Sequence, residues 1–293
     1  MQSVPQLVYR VRKAGAMVRI VTTTSVFPPS YPIEKAIERL SAIGYNGLDL
    51  AIDYCVDSCE FPFMTEEWSH WGLMLCKKAR ERGVSFTHAH ASGDAGDRDL
   101  IFYRGFSLCG IMKIPYIVVH PVFKNQKGAV ISCEDEFLEV NTRSILPLLE
   151  LAEENNVTIL SENLLWGASK DPFIIARLVK EVASPFFGWC FDTGHANCFG
   201  ISPNVLLDTE VTPLSLHIRD NHGFGSDEHL IPGDGNYDWK LFLEILHRIN
   251  YQGDLVLEAH HQSLECEDEK REEVLNELYL RSEKMLLYYT SLK

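Results

Sequence analysis

Apolar runs rich in β-branched residues alternate with amphipathic segments along most of the chain, with no linker between them. The runs predict eight strands, at residues 18–27, 47–52, 84–90, 116–122, 157–163, 187–192, 214–220 and 254–260. The amphipathic segments predict helices at residues 33–43, 68–82, 134–154, 173–182, 237–249 and 270–288. Ser132 to Asp135 resembles a capping box before the third of these helices, with Asp in place of Glu. The chain therefore consists of repeated βα units.

Repeated βα units predict a single-domain α/β fold, the (β/α)8 or TIM barrel, because right-handed crossovers leave few other ways to join parallel strands. The competing arrangement is an open doubly wound sheet. Such a sheet often carries a Gly-rich dinucleotide fingerprint after its first strand, whereas this chain has Thr-Thr-Thr-Ser-Val at residues 22–26. We expect the barrel to span residues 17–293, with residues 1–16 as an N-terminal extension.

The composition favours a soluble enzyme with a small-molecule substrate. The chain has 293 residues, of which 46% are hydrophobic, and this is ample for a buried core. Its formal net charge of -14 would repel nucleic acid or an anionic membrane, because such partners are bound largely through Lys and Arg. The eight cysteines form no CxxC pair, and no run approaches the roughly 18 apolar residues of a membrane span. We therefore expect a cytoplasmic protein that binds neither nucleic acid nor membrane.

Four consecutive predicted strands carry, toward the carboxyl end, a residue that can bind a metal, namely Glu162, Asp192, His217 and Glu258. In a parallel barrel the carboxyl ends of the strands meet at one mouth, where active sites are built. Each residue alone could be a helix cap or an ion-pair partner. Charged groups at the ends of apolar runs are costly to bury unless paired or metal-bound, so a shared cation explains all four together. Three carboxylates and one imidazole suit Mn²⁺, Mg²⁺ or Co²⁺, and Zn²⁺ is also possible.

Two further segments carry residues of the same chemical type. His195 lies three residues after Asp192, with Gly194 allowing a tight turn beyond the strand. Asp227 and His229 lie in the loop after the seventh strand, at a spacing that lets both side chains face one way. We expect Asp227 and His229 to be possible ligands of an additional metal ion.

Histidines also end the third and fourth predicted strands, and an aromatic residue follows the fifth. His88 and His120 could line the pocket, although a single histidine is more often a hydrogen-bonded structural residue. Trp166 could form a wall against the face of a substrate, although aromatics near barrel ends are more often packing residues. We expect His88, His120 and Trp166 to contribute to substrate binding.

The site motifs together resemble the xylose isomerase-like TIM-barrel superfamily. The motifs are SEN at 161–163, FDTGHA at 191–196, LHIRDN at 216–221, DEHLIPGDGNYDW at 227–239 and YQGDLVLE at 251–258. The superfamily includes sugar and sugar-phosphate isomerases and epimerases, inosose dehydratases and endonuclease IV. Its members share these motifs but catalyse different reactions. The resemblance therefore implies the fold and the site residues, but it does not identify the substrate.

The ketose 3-epimerases of this superfamily imply one divalent cation, most commonly Mn²⁺ or Co²⁺, held by the equivalents of Glu162, Asp192, His217 and Glu258. They also imply that the two glutamates exchange a proton with a substrate carbon, while His195 binds a substrate oxygen. We therefore expect a metal-dependent isomerase or epimerase that acts through an enediolate on a small sugar, polyol ketone or sugar phosphate. An inosose-type dehydratase would use the same removal of a proton next to a carbonyl.

One departure and one alternative accompany this expectation. Such epimerases commonly carry an arginine six residues after the metal-binding histidine, where this chain has Gly223.

Endonuclease IV, a metal-dependent phosphoesterase, binds three metal ions, and this chain has residues at the matching positions: His88 or His90, His120, Glu162, Asp192, His195, His217, Asp227, His229 and Glu258. The strongly negative net charge opposes binding of a DNA duplex, so phosphoester hydrolysis is the second hypothesis.

Overall fold

The computed structural model describes residues 18–29 and 31–292, and its centre is one sheet of eight parallel strands. In chain order the strands are β1 Ile20–Thr23, β2 Gly47–Ala51, β3 Ser85–Asp94, β4 Tyr116–His120, β5 Thr158–Glu162, β6 Phe187–Asp192, β7 Ser215–His217 and β8 Leu255–Leu257. Each strand from β1 to β6 pairs with the next, and β1 also pairs with β8. A parallel bridge between Ile218 and Leu257 joins the end of β7 to β8 and closes the ring.

Helices follow the strands and pack around the sheet. They are α1 Ile33–Ile43, α2 Trp68–Glu81, α3 Leu100–Met112, α4 Glu134–Glu154, α5 Pro172–Val182, α6 Thr193–Cys198, α7 Val205–Asp208, α8 Trp239–Arg248, α9 His261–Glu265 and α10 Asp268–Ser291. The predicted single-domain (β/α)8 barrel is thus confirmed. The N-terminal extension predicted at residues 1–16 lies outside the described residues and stays a prediction.

Helix α3 was not predicted from the pattern, although it is one of the most deeply packed helices. Its sequence, LIFYRGFSLCGIM, is apolar around most of its circumference and includes two glycines, so it lacks the polar face on which helix prediction depends. Its start is nevertheless marked, since the side chain of Asp99 accepts a hydrogen bond from the backbone N–H of Phe102. A uniformly apolar helix is expected where both faces are covered.

The capping box predicted at Ser132 to Asp135 is wrong. The N-cap of α4 is Cys133, one residue later than a capping box requires, and no side chain caps it. Acidic residues in the first turn, including Glu134 and Asp135, still suit the helix dipole.

The strands are shorter than predicted at the mouth. Residues 18–27 were predicted as one strand, but the ladder ends at Thr23 and Thr24–Val26 forms a short 3₁₀ helix. Val26 and Phe27 are still buried, at 0% and 1% exposure, because the loop packs inward over the sheet. Apolar character here reflects packing of the mouth loop, which the sequence pattern does not distinguish from a strand.

The barrel interior is built in layers that set the height of the site. Val118, Leu160 and Cys190, on β4, β5 and β6, form a small apolar cluster. Side chains on one face of a strand recur every second residue, so the next residues facing the same way lie one pleat nearer the mouth. Those residues are His120, Glu162 and Asp192. The apolar layer therefore forms a floor directly beneath the polar cluster.

Candidate metal centre

The four residues predicted as metal ligands lie at the carboxyl ends of four adjacent strands. Glu162, Asp192 and His217 are the last residues of β5, β6 and β7, and Glu258 directly follows β8. The register pairs Asp192 with His217, and the backbone N–H of Glu258 donates to Ile218 O at 3.0 Å. Backbone pairing alone therefore brings the four side chains to one half of the mouth.

Their donor atoms converge on a single point. Nδ1 of His217 lies 3.0 Å from Oε1 of Glu162, 3.7 Å from Oε1 of Glu258 and 3.9 Å from Oδ2 of Asp192. One ligand atom from each of the four residues lies within 4.8 Å of the others. Two atoms bound at about 2.1 Å to the same ion are about 3.0 Å apart at a right angle and about 3.4 Å apart at a tetrahedral angle. The 3.0 Å separation matches a ligand set and the separations of 3.7 and 3.9 Å are slightly wider, so small side-chain movements would let the residues fit a divalent cation.

The charge state of the carboxylates also suits a cation. Burial opposes the ionisation of Glu162, which is 1% exposed, but the nearby histidines, His217 first, lower its pKa well below the usual range. Burial likewise opposes ionisation of Glu258, yet His217 and His229 lower its pKa to about 2. Both groups are thus ionised at neutral pH, as metal ligands must be.

Asp192 is fixed by the two motifs that surround it. Its Oδ1 accepts a hydrogen bond from His195 N at 2.7 Å and so caps α6. Asn163 holds its backbone on both sides, because Asn163 Oδ1 accepts from Asp192 N at 2.9 Å and Asn163 Nδ2 donates to Asp192 O at 3.0 Å. The Glu-Asn and Asp-Thr-Gly-His sequences therefore act as one unit that sets the direction of the Asp192 carboxylate.

His195 lies beside the ligand set, where it can also reach a bound molecule. Its Nδ1 is 3.5 Å from Glu162 Oε1 and 3.6 Å from Asp192 Oδ2, and its Nε2 is 3.8 Å from Asp227 Oδ2. Its side chain is 10% exposed, so part of the ring reaches the open mouth. Contact with carboxylates outweighs burial and raises its pKa.

A second group of possible ligands lies on the other side of Glu162. Nε2 of His120 is 3.5 Å from Glu162 Oε2, and Nε2 of His90 is 3.9 Å from the same oxygen. The two imidazole rings meet edge to face, with centroids 4.8 Å apart. Burial opposes protonation of His90, but Glu162 and Asp53 raise its pKa to about 10. His90, His120 and Glu162 form the second group that could hold a cation.

His88, predicted to line the pocket, lies one layer too deep to join this group. It is 1% exposed, its ring stacks on Tyr116 with centroids 5.2 Å apart, and its Nδ1 is 2.8 Å from Thr87 Oγ1. His88 and His90 share a strand face but differ by one pleat, or about 6.6 Å. The structure therefore brings His90 and His120 to the mouth, whereas His88 packs inside the barrel.

Trp166 lies on the rim, in the loop after β5. Its ring stacks on Phe123 from the loop after β4, with centroids 4.7 Å apart and planes 21° apart. Its surface is 44% exposed. The two rings together form a flat aromatic face at the edge of the mouth.

Asp227 and His229 come close to each other but join neither ligand group found among residues 18–29 and 31–292. Oδ2 of Asp227 is 3.5 Å from Nε2 of His229, and His229 Nδ1 also contacts Glu258 O at 3.0 Å. The other oxygen of Asp227 forms an ion pair with Arg219. The guanidinium of Arg219 therefore already neutralises the carboxylate predicted as an additional metal ligand.

A family model described as xylose isomerase-like TIM barrel matches residues 37–281. The chain belongs to this family. Among curated proteins, the uncharacterized protein MJ1311 of Methanocaldococcus jannaschii is 30% identical over 150 residues, covering 48% of this chain and 50% of that protein. The inosose dehydratase of Clostridium tetani is 24% identical over 177 residues, covering 55% and 56%. The chain spans about half the length of the curated relatives it matches.

Solved structures of the family share the fold over nearly the whole chain. D-psicose 3-epimerase from Clostridium cellulolyticum H10, determined with D-tagatose, aligns with a TM-score of 0.71 at 14% identity, covering 92% of this chain and 99% of that chain. The IOLI protein with a bound zinc atom aligns with a TM-score of 0.72 at 16% identity, covering 94% and 98%. The resemblance inferred from the motifs is thus confirmed. No helix in the described part of the chain is long and apolar enough to cross a membrane.

Three residues around the centre were not assigned a role from the sequence. Arg219 is fully buried among carboxylates, Asp49 lies in β2 at 1% exposure, and Asp53 begins the short helix after β2. Burial raises the pKa of Asp49 to about 6, with His217 and His90 acting against it. The signal that could have found Asp49 is a charged residue inside an otherwise apolar run, which must have a partner or a function. Arg219 directly follows an apolar strand end in Leu-His-Ile-Arg-Asp-Asn and carries a weaker signal.

Proposed function

We propose that this chain is a divalent-metal-dependent isomerase or epimerase that moves a proton next to the carbonyl group of a small sugar or polyol ketone. The pair Glu162 and Glu258 carries the proposal, because both carboxylates approach His217 Nδ1 from different strands and both are held in the ionised form. Several structural neighbours are named as sugar epimerases, which supports the same class of reaction. An unphosphorylated substrate is favoured, since the buried Arg219 is already committed to carboxylates.

Glu162, Asp192, His217 and Glu258 would hold the cation. A bound divalent cation stabilises negative charge on substrate oxygens and so makes the neighbouring C–H bond more acidic. We propose Mn²⁺ first, because three of the four ligands are carboxylates, with Co²⁺, Mg²⁺ or Zn²⁺ as alternatives. The zinc atom named in the IOLI structure supports a divalent cation in this family.

The two glutamates would carry the proton. An ionised carboxylate removes a proton from the substrate carbon. The other glutamate, once a proton from solvent has converted it to the carboxylic acid, returns one. Removal by one glutamate and return by the other on the opposite face inverts the carbon, which is epimerisation. Return to the adjacent carbon instead exchanges the positions of carbonyl and hydroxyl, which is isomerisation. Glu258, with its side chain 16% exposed, lies nearer the open mouth than Glu162.

Other side chains would position the substrate. His195 and His120 would bind its hydroxyl or carbonyl oxygens, and the stacked rings of Trp166 and Phe123 would cover an apolar sugar face. His90 takes the place first expected for His88. All eight cysteines are free thiols, which supports a reducing compartment such as the cytoplasm.

Solvent-deuterium exchange into a panel of ketoses and inososes, with Mn²⁺ present, tests this proposal. Glu162→Gln and Glu258→Gln should each lower exchange by at least about 100-fold, because each removes one proton carrier while keeping side-chain size. Glu210→Gln, at the opposite end of the barrel, is the matched control and should exchange at the wild-type rate. Wild-type exchange in both site variants would refute the assignment of these bases.

An inosose-type dehydratase is a variant of the same proposal, because it would use the same metal centre and the same first step. The relative named inosose dehydratase supports this possibility. Dehydration and epimerisation share removal of the proton and differ in the next step, because a dehydratase expels a neighbouring hydroxyl. Loss of water from an inosose, detected by mass spectrometry of the product, separates the two.

Phosphoester hydrolysis is a second candidate, and one observation favours it. His90 and His120 approach Glu162 Oε2 so that Glu162 could bridge two ions, as in two-metal hydrolases. The net charge of -14 opposes a nucleic-acid substrate. Release of phosphate or of a nucleotide from model phosphodiesters by the zinc-loaded protein, without α-proton exchange into any ketose, would favour hydrolysis over isomerisation.

A further inference from the structure

Arg219 is a fully buried cation placed among three carboxylates of the candidate centre. Its Nε lies 2.7 Å from Asp192 Oδ2 and 3.3 Å from Glu258 Oε2, and its Nη1 pairs with Asp227 Oδ1. Its exposure is 0%. A buried guanidinium without partners would be costly, so these contacts compensate both the cation and the anions around it.

The structure around Arg219 is built to receive it. A Cβ added at Gly194 would lie 2.9 Å from Arg219 Cγ and 3.1 Å from both Cζ and Nη1. Gly194 belongs to α6 and is not among the described residues with positive φ, so contact with Arg219 rather than a tight turn requires glycine there. Thr193 Oγ1 donates to Arg219 O at 2.9 Å and accepts from Arg219 N at 3.1 Å. The Asp-Thr-Gly-His motif therefore fixes both the backbone and the side chain of Arg219.

The position of Arg219 decides what Asp227 can do. Oδ2 of Asp227, the oxygen that Arg219 does not bind, lies 3.8 Å from His195 Nε2 and 3.5 Å from His229 Nε2, which brings one carboxylate and two imidazoles together. These are residue types that bind transition metals. Asp227 is the single carboxylate on this side and Arg219 already balances its charge, so a divalent cation here would be repelled by the fixed positive charge. The proposed metal centre has three carboxylates, which keep a net negative charge even though Arg219 contacts two of them.

We propose that Arg219 replaces a metal ion on this side of the centre, so that Asp227, His195 and His229 bind no cation. The proposal rests on the metal centre proposed above and deepens it. A guanidinium balances charge but cannot activate a water molecule as a metal ion does. The fixed charge therefore favours proton transfer at Glu162 and Glu258 over a hydrolytic centre that extends to Asp227.

Counting bound Mn²⁺ tests the proposal without any assay of activity. Native mass spectrometry and inductively coupled plasma mass spectrometry give the number of ions per chain, and electron paramagnetic resonance detects coupling between neighbouring Mn²⁺ ions. Arg219→Met should bind one more ion than the wild type, and the double variant Arg219→Met, Asp227→Asn should return to the wild-type number. Equal numbers in Arg219→Met and wild type would overturn the proposal.

Matched variants keep the result decisive. Arg104→Met removes another buried arginine, which binds the carbonyls of Phe63 and Thr65, and should leave the ion count unchanged. Asp227→Asn in the wild-type background should lose no ion, and a loss would overturn the proposal even if Arg219→Met does not fold. Arg219→Lys keeps the positive charge and should bind the wild-type number, so an extra ion there would also contradict the proposal.

The outcomes separate this proposal from the proposed function. An absence of α-proton exchange in every substrate, with the expected ion counts, would reject the isomerase and leave the role of Arg219 standing. Normal exchange with an unchanged count in Arg219→Met would reject the role of Arg219 alone.

Discussion

Asp192 shows how much a single side chain can do at the end of a barrel strand. Its Oδ1 caps α6, and its Oδ2 contacts Arg219 while facing His217. The sequence predicted Asp192 as a metal ligand because a carboxylate follows an apolar run. It could not predict the role of Arg219, because that depends on the close approach of Gly194 across two neighbouring strand ends. Residues whose role follows from their own strand were predicted, and those whose role follows from a distant contact were not.

Asp49, a single buried carboxyl group, predicts how the stability of the protein depends on pH. Burial raises its pKa from 3.8 to about 6, so the folded state holds an extra proton between these values. Between about pH 4 and about pH 6 the unfolded state binds fewer protons than the folded state, so the free energy of unfolding falls as pH rises. Above pH 6 the carboxylate is charged in both states, and the whole loss of stability is present. Asp49→Asn should therefore raise the free energy of unfolding at pH 7.5 by about 1–3 kcal/mol and flatten the pH dependence.

Urea unfolding of metal-free protein at pH 5.0 and pH 7.5 measures this effect. Asp57→Asn, an exposed substitution soon after the same strand, is the control and should change stability little. If Asp49→Asn is less stable than the wild type at pH 7.5, the Asp49 carboxylate is favourably paired in its charged form and the prediction is wrong.

At the scale of elements, the long connection from β7 to α8 is organised by one buried carboxylate. Oδ1 of Asp220 accepts from Asn221 N at 2.9 Å and Tyr237 N at 3.2 Å, and Oδ2 accepts from Gly233 N and Trp239 Nε1, each at 2.8 Å. These bonds hold the connection, which carries Asp227 and His229, against the barrel. The helices that were predicted lie close to their observed limits, because the apolar residues of each recur at the helical period. This connection has no such period.

Replacing Asp220 by Asn should loosen this connection. An amide accepts through only one of its two ends, so its NH₂ group would face N–H donors and at least one hydrogen bond would be lost. We expect a loss of about 1–3 kcal/mol in the free energy of unfolding. Faster hydrogen exchange at the amides of Gly233 and Tyr237 should accompany it. Phe224→Ala, which replaces a fully exposed side chain in the same connection, is the control and should leave exchange at these amides unchanged. Unchanged exchange in Asp220→Asn would contradict the role given to this carboxylate.

At the scale of the whole molecule, the barrel divides its mouth between two sets of residues. The four proposed ligands come from β5 to β8, whereas His90 and His120 come from β3 and β4 and meet them at Glu162. The fold was predictable from the repeated βα pattern, and so was the meeting of the four proposed ligands at one mouth, because each lies at the end of a strand in a closed ring. The depth of each histidine in the barrel was not predictable, since it depends on the strand register and stagger that place His90 above His88.

The central claim is that Glu162, Asp192, His217 and Glu258 hold one divalent cation between two proton-carrying glutamates. Anomalous diffraction from crystals grown with Mn²⁺ tests it most directly, because the signal locates the ion independently of the protein atoms. We predict a peak about 2.0–2.4 Å from one donor atom of each of these four residues, and no peak between Asp227 and His229. A saturated crystal with no peak among the four residues, or with Mn²⁺ only elsewhere, would contradict the claim.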